Sequence, residues 1–182
     1  EQAEPLLRKA LEIKRAIYGD DHPSIDTTRH NLARCLTDLG RWADAEVIYR
    51  DVLRAQIGRY GESHPGVAAS QAGLARALLD SDRAAEAEPL WRSAQATAIA
   101  KFGELDAAVG ITAIGLGRTL LALGRYDDAV AQLDLAERVY TQLGKNGTSS
   151  LARVRLERTR VDLARTDAIV ECTPARGALD AF

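Results

Sequence analysis

The sequence predicts an all-α fold, a right-handed superhelical stack of antiparallel helix pairs. Three observations predict it. First, Tyr18-Gly19, His22-Pro23, Leu32-Ala33-Arg34 and Leu36 return 42 residues later as Tyr60-Gly61, His64-Pro65, Leu74-Ala75-Arg76 and Leu78. A third, worn copy reads Phe102-Gly103, Leu116-Gly117-Arg118 and Leu120. Second, Ala3–Asp44 and Ala45–Glu86 share 15 of 42 positions without a gap, where ordinary residue usage gives about three. Third, the apolar period inside each unit is 3.6 and never 2, so the repeated unit is helical. A unit of this size cannot bury its apolar face alone and must stack on its neighbours.

The elements follow in order. A helix is expected over 3–18, the second helix of a repeat whose first helix lies outside the sequence. The chain is thus expected to be a piece of a longer protein. Ile25, Leu32, Ala33, Leu36 and Leu39 form one stripe, closed by Gly40, and predict a helix over 24–39. Ala45, Ile48, Tyr49, Val52, Leu53 and Ile57 form the stripe of its partner over 43–60. The period then places helices at 66–80, 85–102, 107–123 and 127–143. Proline after His22 and after His64 suits a first helical turn, where a missing N–H costs nothing. A fourth copy fits at an offset of 40 if two residues are deleted near Gly144-Lys145-Asn146-Gly147. It gives a helix at 149–164 and a short one at 167–172. The chain reads as one array over 1–182: the helix 3–18, repeats at 24–60, 66–102 and 107–143, a degenerate terminal repeat at 149–172, and a tail at 173–182.

Composition narrows the function. Net charge is −2 and the pI about 6.0, which does not favour nucleic acid. No uninterrupted apolar run approaches the roughly 18 residues of a membrane span, so no membrane contact is expected. Cys35 and Cys172 sit in different repeats and make no metal spacing. His22 and His64 occupy equivalent loops, where a capping role is expected rather than a metal site. Gly110, Gly115 and Gly117 fall inside one predicted helix, where they permit close helix contact. Trp42 and Tyr126 open equivalent helices and are expected to pack on the helix before. No catalytic grouping and no phosphate-cradling glycine loop is present, so neither an enzyme nor a cofactor is expected.

The strings Asn31-Leu32-Ala33, Gly40-Arg41-Trp42, Ala45-Glu46, Tyr49-Arg50, Tyr60-Gly61 and His64-Pro65 resemble tetratricopeptide repeats. The 42-residue form is similar to the kinesin-light-chain type. The resemblance implies an α-solenoid in which Ala33, Ala75 and Gly117 are the small residues of the first helices. Ala45, Ala87 and Ala129 are then the small residues of the second helices, with Tyr49, Trp91 and Leu133 the bulky ones. The fourth copy departs, with Glu157 at the small position. The resemblance also implies a concave groove, lined by the first helices, that holds a peptide or helix of a protein partner. In kinesin light chains such grooves receive peptides rich in acidic residues. Similar arrays occur in bacterial signalling proteins, including serine/threonine kinases, where the segment would act on its own catalytic domain. A cytoplasmic location is expected.

One constellation points to the partner. The position after the small groove-helix residue is Arg34, Arg76, Arg118 and, in the gapped alignment, Arg158. A row of guanidinium forks matches carboxylates or phosphates, so an acidic partner is expected. Thr27, His30 and Asn31 add polar contacts at one end. Ile111, Ile114, Leu121, Leu151 and Val154 make the other end apolar. The bland alternative is a set of i,i+4 pairs within each helix: Arg34 with Asp38, Arg76 with Asp80, Arg158 with Asp162. Arg118 has Ala122 at that place, which makes it the expected free donor. The exposed start, with Leu6, Leu7 and Ile13, is expected to contact either upstream sequence or a neighbouring molecule, the latter including self-association.

Overall fold

The computed structural model describes residues 3–172. Among them eight α-helices follow one another: α1 (Ala3–Tyr18), α2 (Pro23–Asp38), α3 (Trp42–Tyr60), α4 (Pro65–Asp80), α5 (Ala84–Phe102), α6 (Ala107–Ala122), α7 (Tyr126–Gln142) and α8 (Thr148–Cys172). No strand occurs among the described residues. Each helix packs on the next, and α2, α4, α6 and α8 also touch one another in succession, whereas α1, α3, α5 and α7 do not. The first helices of the pairs therefore form the tighter, inner row, and the second helices the outer row.

The helix starts explain the repeated His-Pro. His22 Nδ1 accepts the Ser24 N–H at 3.2 Å, and His64 Nδ1 accepts that of Gly66 at 3.0 Å. Each imidazole is a helix cap, doing what Asp106 does with a carboxylate on the Ala108 N–H at 2.8 Å. Each is also held flat on a tyrosine one turn upstream, His22 on Tyr18 at 4.6 Å and His64 on Tyr60 at 4.4 Å. At the other ends, Gly40 and Gly124 close α2 and α6 with φ of 74° and 71°, and Asp82 fills the equivalent place after α4 at φ 62°. A left-handed residue there lets Arg41 N–H reach back to the Leu36 carbonyl at 2.9 Å.

Between repeats, size is matched to size. A Cβ on Gly73 would lie 2.5 Å from the Tyr49 ring, and one on Gly115 2.4 Å from that of Trp91. An aromatic ring on a second helix thus requires glycine on the first helix of the next repeat. Within a repeat the same matching occurs between α6 and α7, where Gly110 meets the Tyr140 ring and Gly117 lies over Leu133. The interior glycines of α6 are packing devices, as expected. Tyr126 packs against the core, and Trp42 is 38% exposed.

Two expectations are corrected. The helices expected at 149–164 and 167–172 are a single helix, α8, because Ala164-Arg165-Thr166-Asp167 contains no glycine or proline to break it. The tail at 173–182 lies outside the described residues. The offset of 40 is also replaced. Val154, Glu157 and Val161 are buried in α8, and they stand 42 residues after Thr112, Gly115 and Thr119, which are buried in α6. The period is kept because the turn of 3-10 helix at Gly144–Gly147 occupies the place of the connection at Phe102–Leu105, so that α8 starts 41 residues after α6. Glu157 therefore stands at the position of Gly115, not Gly117.

Candidate peptide-binding groove

The arginines of the inner row do not pair as helix periodicity suggests. Arg76 donates to Asp38 of the preceding repeat at 2.7 Å and lies 3.5 Å from Asp80 on its own helix. Arg118 donates to Asp80 at 3.2 Å and stands 3.6 Å from Glu157. Arg160, 42 residues after Arg118, pairs with Glu157 at 3.3 Å. Acid and base alternate along the groove from Asp38 to Arg160, each arginine bridging two repeats or closing on its own helix. The spacing of 38 residues in both cross-repeat pairs is the period less one helical turn.

The expected roles of the four arginines are thereby rearranged. Arg118, expected to be the free donor, is held by two carboxylates. Arg158, expected in the same row, leaves it: its guanidinium meets Asp134 at 2.5 Å and Glu137 at 3.2 Å, both on α7. The cause is the true period of 42, which gives the ladder position to Arg160. Arg34, expected to pair with Asp38, makes no ion pair among the described residues, because Asp38 is taken by Arg76. Its exposed guanidinium is the open end of the ladder.

Around Arg34 the groove is polar. Thr27 is exposed, and His30 and Asn31 are half-buried on the same helix. His30 Nδ1 lies 3.3 Å from Ser70 Oγ, which donates to Gln56 Oε1 at 2.9 Å, so three helices share one polar network. Burial, and then the charge of Arg34, push the His30 imidazole below its ordinary range. It is a neutral hydrogen-bonding group at pH 7. Its ring edge meets Tyr49, whose hydroxyl burial pushes up to about 12.

At the other end the groove is apolar, though with different residues than expected. Ile114 and Val154 are buried in the stack, and Leu121 and Leu151 are half-buried. Of the expected residues Ile111 stays exposed, at 58%, and on α8 Leu156 and Leu163, 42 residues after Ile114 and Leu121, are exposed at 60% and 62%. The gapped alignment hid the two leucines by matching them to Leu116 and Leu123. A shallow cavity of about 350 Å³ lies between Leu79, Asp80, Arg118, Leu121, Glu157 and Arg160.

Loss of the Arg118 charge would leave Glu157, 5% exposed, with only the exposed Arg160 as a partner. Arg118→Ala is expected to cost about 1–3 kcal/mol of stability, the range for a buried group that loses its partner. Urea denaturation checks this, and a loss smaller than that of Arg76→Ala would contradict it.

A second ladder, which the sequence reading passed over, runs along the outer row. Arg41, Arg83 and Arg125 each precede a second helix and reach the glutamate of the second helix before: Glu4 at 2.9 Å, Glu46 at 2.6 Å and Glu88 at 2.6 Å. Each also clasps the acid three residues on, Asp44, Glu86 or Asp128. The signal was present, since both members recur unchanged at 42 residues, but arginine and glutamate 37 apart form no helix pattern. Arg83 hydrogen bonds hold the Glu46 and Glu86 carboxyls below the usual range, and Arg92 together with Arg125 does so for Glu88. Carboxyls lowered in the folded state contribute stability that is fully present above their unfolded value near 4.5 and is lost as pH falls from there through the lowered folded value. The melting temperature is expected to drop between pH 6 and pH 3 (about the carboxylate range), and added salt should shrink the difference because these pairs are solvated.

The geometry defines a class: an array of helix pairs, stacked at a fixed period, with an inner face of first helices. The family model described as tetratricopeptide repeat matches residues 1–58, 27–90 and 66–142. The chain belongs to the tetratricopeptide repeat family. No curated protein matches it. Among solved structures it is similar to the TPR-like repeats of a kinesin light chain candidate from Podosopora anserina, at 23% identity and a TM-score of 0.73, over 91% of this chain and 79% of that one. A substituted variant of that protein gives a TM-score of 0.74 at 23% identity, over 91% and 78%. BtubC (BKLC) from P. vanneervenii gives a TM-score of 0.79 at 22% identity, over 91% of this chain and 66% of that one. At these identities the likeness shows the fold, which is kinesin-light-chain-like. Arrays of this family are generally protein–protein interaction scaffolds and are typically non-catalytic. No helix among the described residues is long and apolar enough to cross a membrane.

Proposed function

We propose that the concave groove holds an acidic peptide or helical segment of a partner protein, with a carboxylate on Arg34 and an apolar anchor over Ile111, Leu156 and Leu163. The observation that carries it is Arg34, without an ion pair among the described residues, at the end of a ladder in which Arg76, Arg118 and Arg160 are paired. A guanidinium already shared between two repeats gains little from a third carboxylate, whereas an open one offers a planar fork at no internal cost. Thr27, His30 and Asn31 supply neutral hydrogen-bonding groups beside it. Arg76 and Arg118 contribute by holding the curvature of the groove, and Arg158 lies outside it.

Selection from a displayed peptide library tests this. The wild-type chain is expected to enrich sequences with Asp or Glu a few residues from a large apolar side chain. Arg34→Ala should lose about 1.5–3 kcal/mol of affinity for the enriched peptides, as a charged hydrogen bond lost, with unchanged melting temperature. Enrichment without acidic residues, or equal affinity in Arg34→Ala, would refute the proposal.

A further inference from the structure

We propose that the cleft between residues 102–106 and α7 binds an arginine of a partner protein. Its guanidinium lies flat on Phe102 beside Glu104, and a neighbouring apolar side chain of the partner rests on Leu105. The cleft is lined by the α5–α6 connection and α7, so the proposal is independent of Arg34 and the groove.

The same place recurs in each repeat, and the third copy differs. Tyr18 and Tyr60 are each covered by the imidazole four residues on, and the Arg59 guanidinium stands 5.4 Å from the centre of the Tyr60 ring. Phe102 is the third ring of this series, but Asp106 holds the place of the histidine and Lys101 that of Arg59. A carboxylate is repelled by the negative face of a ring, and an ammonium is not planar. Phe102 has no ring or guanidinium partner among the described residues, and it is 53% exposed. Beside it stands Leu105, 40% exposed, where the earlier copies have Asp21 and Ser63. The hollow here holds about 600 Å³, against about 200 Å³ for the one at Ser63, Ala96 and Ala100 in the repeat before. It lies among α5, α6 and α7 with α8 still to follow, so neither end of the chain leaves it open.

Charge and shape say what fits. Glu104 and Asp106 line the hollow with Arg138 opposite, and it continues along α7 past Asp134 and Glu137, which share Arg158. The walls are therefore net negative even with both arginines counted. Glu104 meets Arg138 at 3.5 Å with both side chains largely exposed, a solvated pair that exchanges partners at little cost. An acidic cleft with a bare ring and an apolar ledge selects a cation that stacks, which is a guanidinium rather than an ammonium. The Arg59–Tyr60 contact is the same arrangement made within the chain.

Selection from a displayed peptide library, with Asp106→His as the counter-target, tests this. Asp106 has φ −76° and ψ 150°, close to the −80° and 136° of His64. An imidazole there can keep the cap on the Ala108 N–H and cover Phe102 as in the earlier repeats. The wild type is expected to enrich peptides with an arginine a few residues from a large apolar side chain. Fluorescence anisotropy of an enriched peptide should show binding weakened at least about tenfold by Asp106→His and by Phe102→Ala. Leu105→Ser should weaken it several-fold and Phe102→Tyr hardly at all. Exchange of the peptide arginine for lysine should also weaken it several-fold, because the stacked plane is lost.

The proposal is overturned if no peptide prefers the wild type to Asp106→His, if the preferred peptides lack arginine, or if Phe102→Ala binds them equally. Phe102→Ala and Leu105→Ser change exposed side chains and leave the cap alone, so they decide the matter even where Asp106→His lowers the melting temperature. The two proposals separate cleanly. Arg34→Ala should leave the arginine peptides bound, and Asp106→His should leave acidic groove peptides bound.

Discussion

Trp91→Ala is expected to lower the unfolding free energy by about 3–5 kcal/mol, the range for emptying a buried tryptophan site. Trp91 is 5% exposed, and its ring fills the space left by Gly115 on the next repeat. One term opposes the loss. The Trp91 indole N–H has no acceptor among the described residues, and an orphan donor costs about 1–3 kcal/mol. Trp91→Phe removes the orphan and keeps most of the ring, so it should change stability by less than about 1.5 kcal/mol, as shape-conserving exchanges do. Gly115→Ala should itself destabilise, because its methyl would enter the ring by more than an ångström, outweighing the roughly 1 kcal/mol that alanine returns to a helix. Combined with Trp91→Leu, the same alanine should cost less than it does alone. Urea denaturation of the wild type, Gly115→Ala, Trp91→Leu and the double variant checks the coupling, and strict additivity would show that the ring and the glycine are not partners.

Arg59→Ala is expected to cost about 3 kcal/mol or more, as breaking a buried ion pair does. Its partner Asp26 is 3% exposed within the stack, on the first turn of α2, and Arg59 lies near the end of α3. Asp26→Ala should cost less. The arginine left behind is a quarter exposed, keeps its hydrogen bond to the Asp21 carbonyl at 2.6 Å, and stands over the Tyr60 ring at 5.4 Å. The next repeat has Ala68 and Lys101 at these two places, so Asp26→Ala with Arg59→Lys should recover much of what Arg59→Ala loses. Thermal melting of the three variants measures it. Equal losses for Asp26→Ala and Arg59→Ala would contradict the view that the buried carboxylate carries the penalty.

Much of the fold was legible because each level of the sequence repeats the others. Tyr60-Gly61 and His64-Pro65 mark the turns, Ala45 and Tyr49 the packing face, and all recur at one interval. The error came where identity faded. Arg158-Thr159 matched Arg118-Thr119 as letters, and nothing in the letters said that a 3-10 turn at Gly144–Gly147 would preserve the spacing. Burial at Val154, Glu157 and Val161 decides the register instead. The groove was half legible. That arginines line it could be read from one position per repeat, but their partners could not. Helix periodicity offers Asp38 to Arg34, whereas stacking offers it to Arg76 at 2.7 Å. Local spacing cannot rank a neighbour on the same helix against one brought close by superhelical packing, and here the second holds Asp38. Cross-repeat pairs such as Arg83 with Glu46 were missed for the same reason.

The most direct test of the account is a crystal structure of the chain with a library-selected acidic peptide. The account predicts the peptide on the inner row of helices, with a carboxylate about 3 Å from the Arg34 guanidinium. It further predicts that the Arg76–Asp38 and Arg118–Asp80 pairs stay closed. A peptide whose carboxylates sit on Arg76 and Arg118 with those pairs broken, or one bound on the outer row, would contradict it.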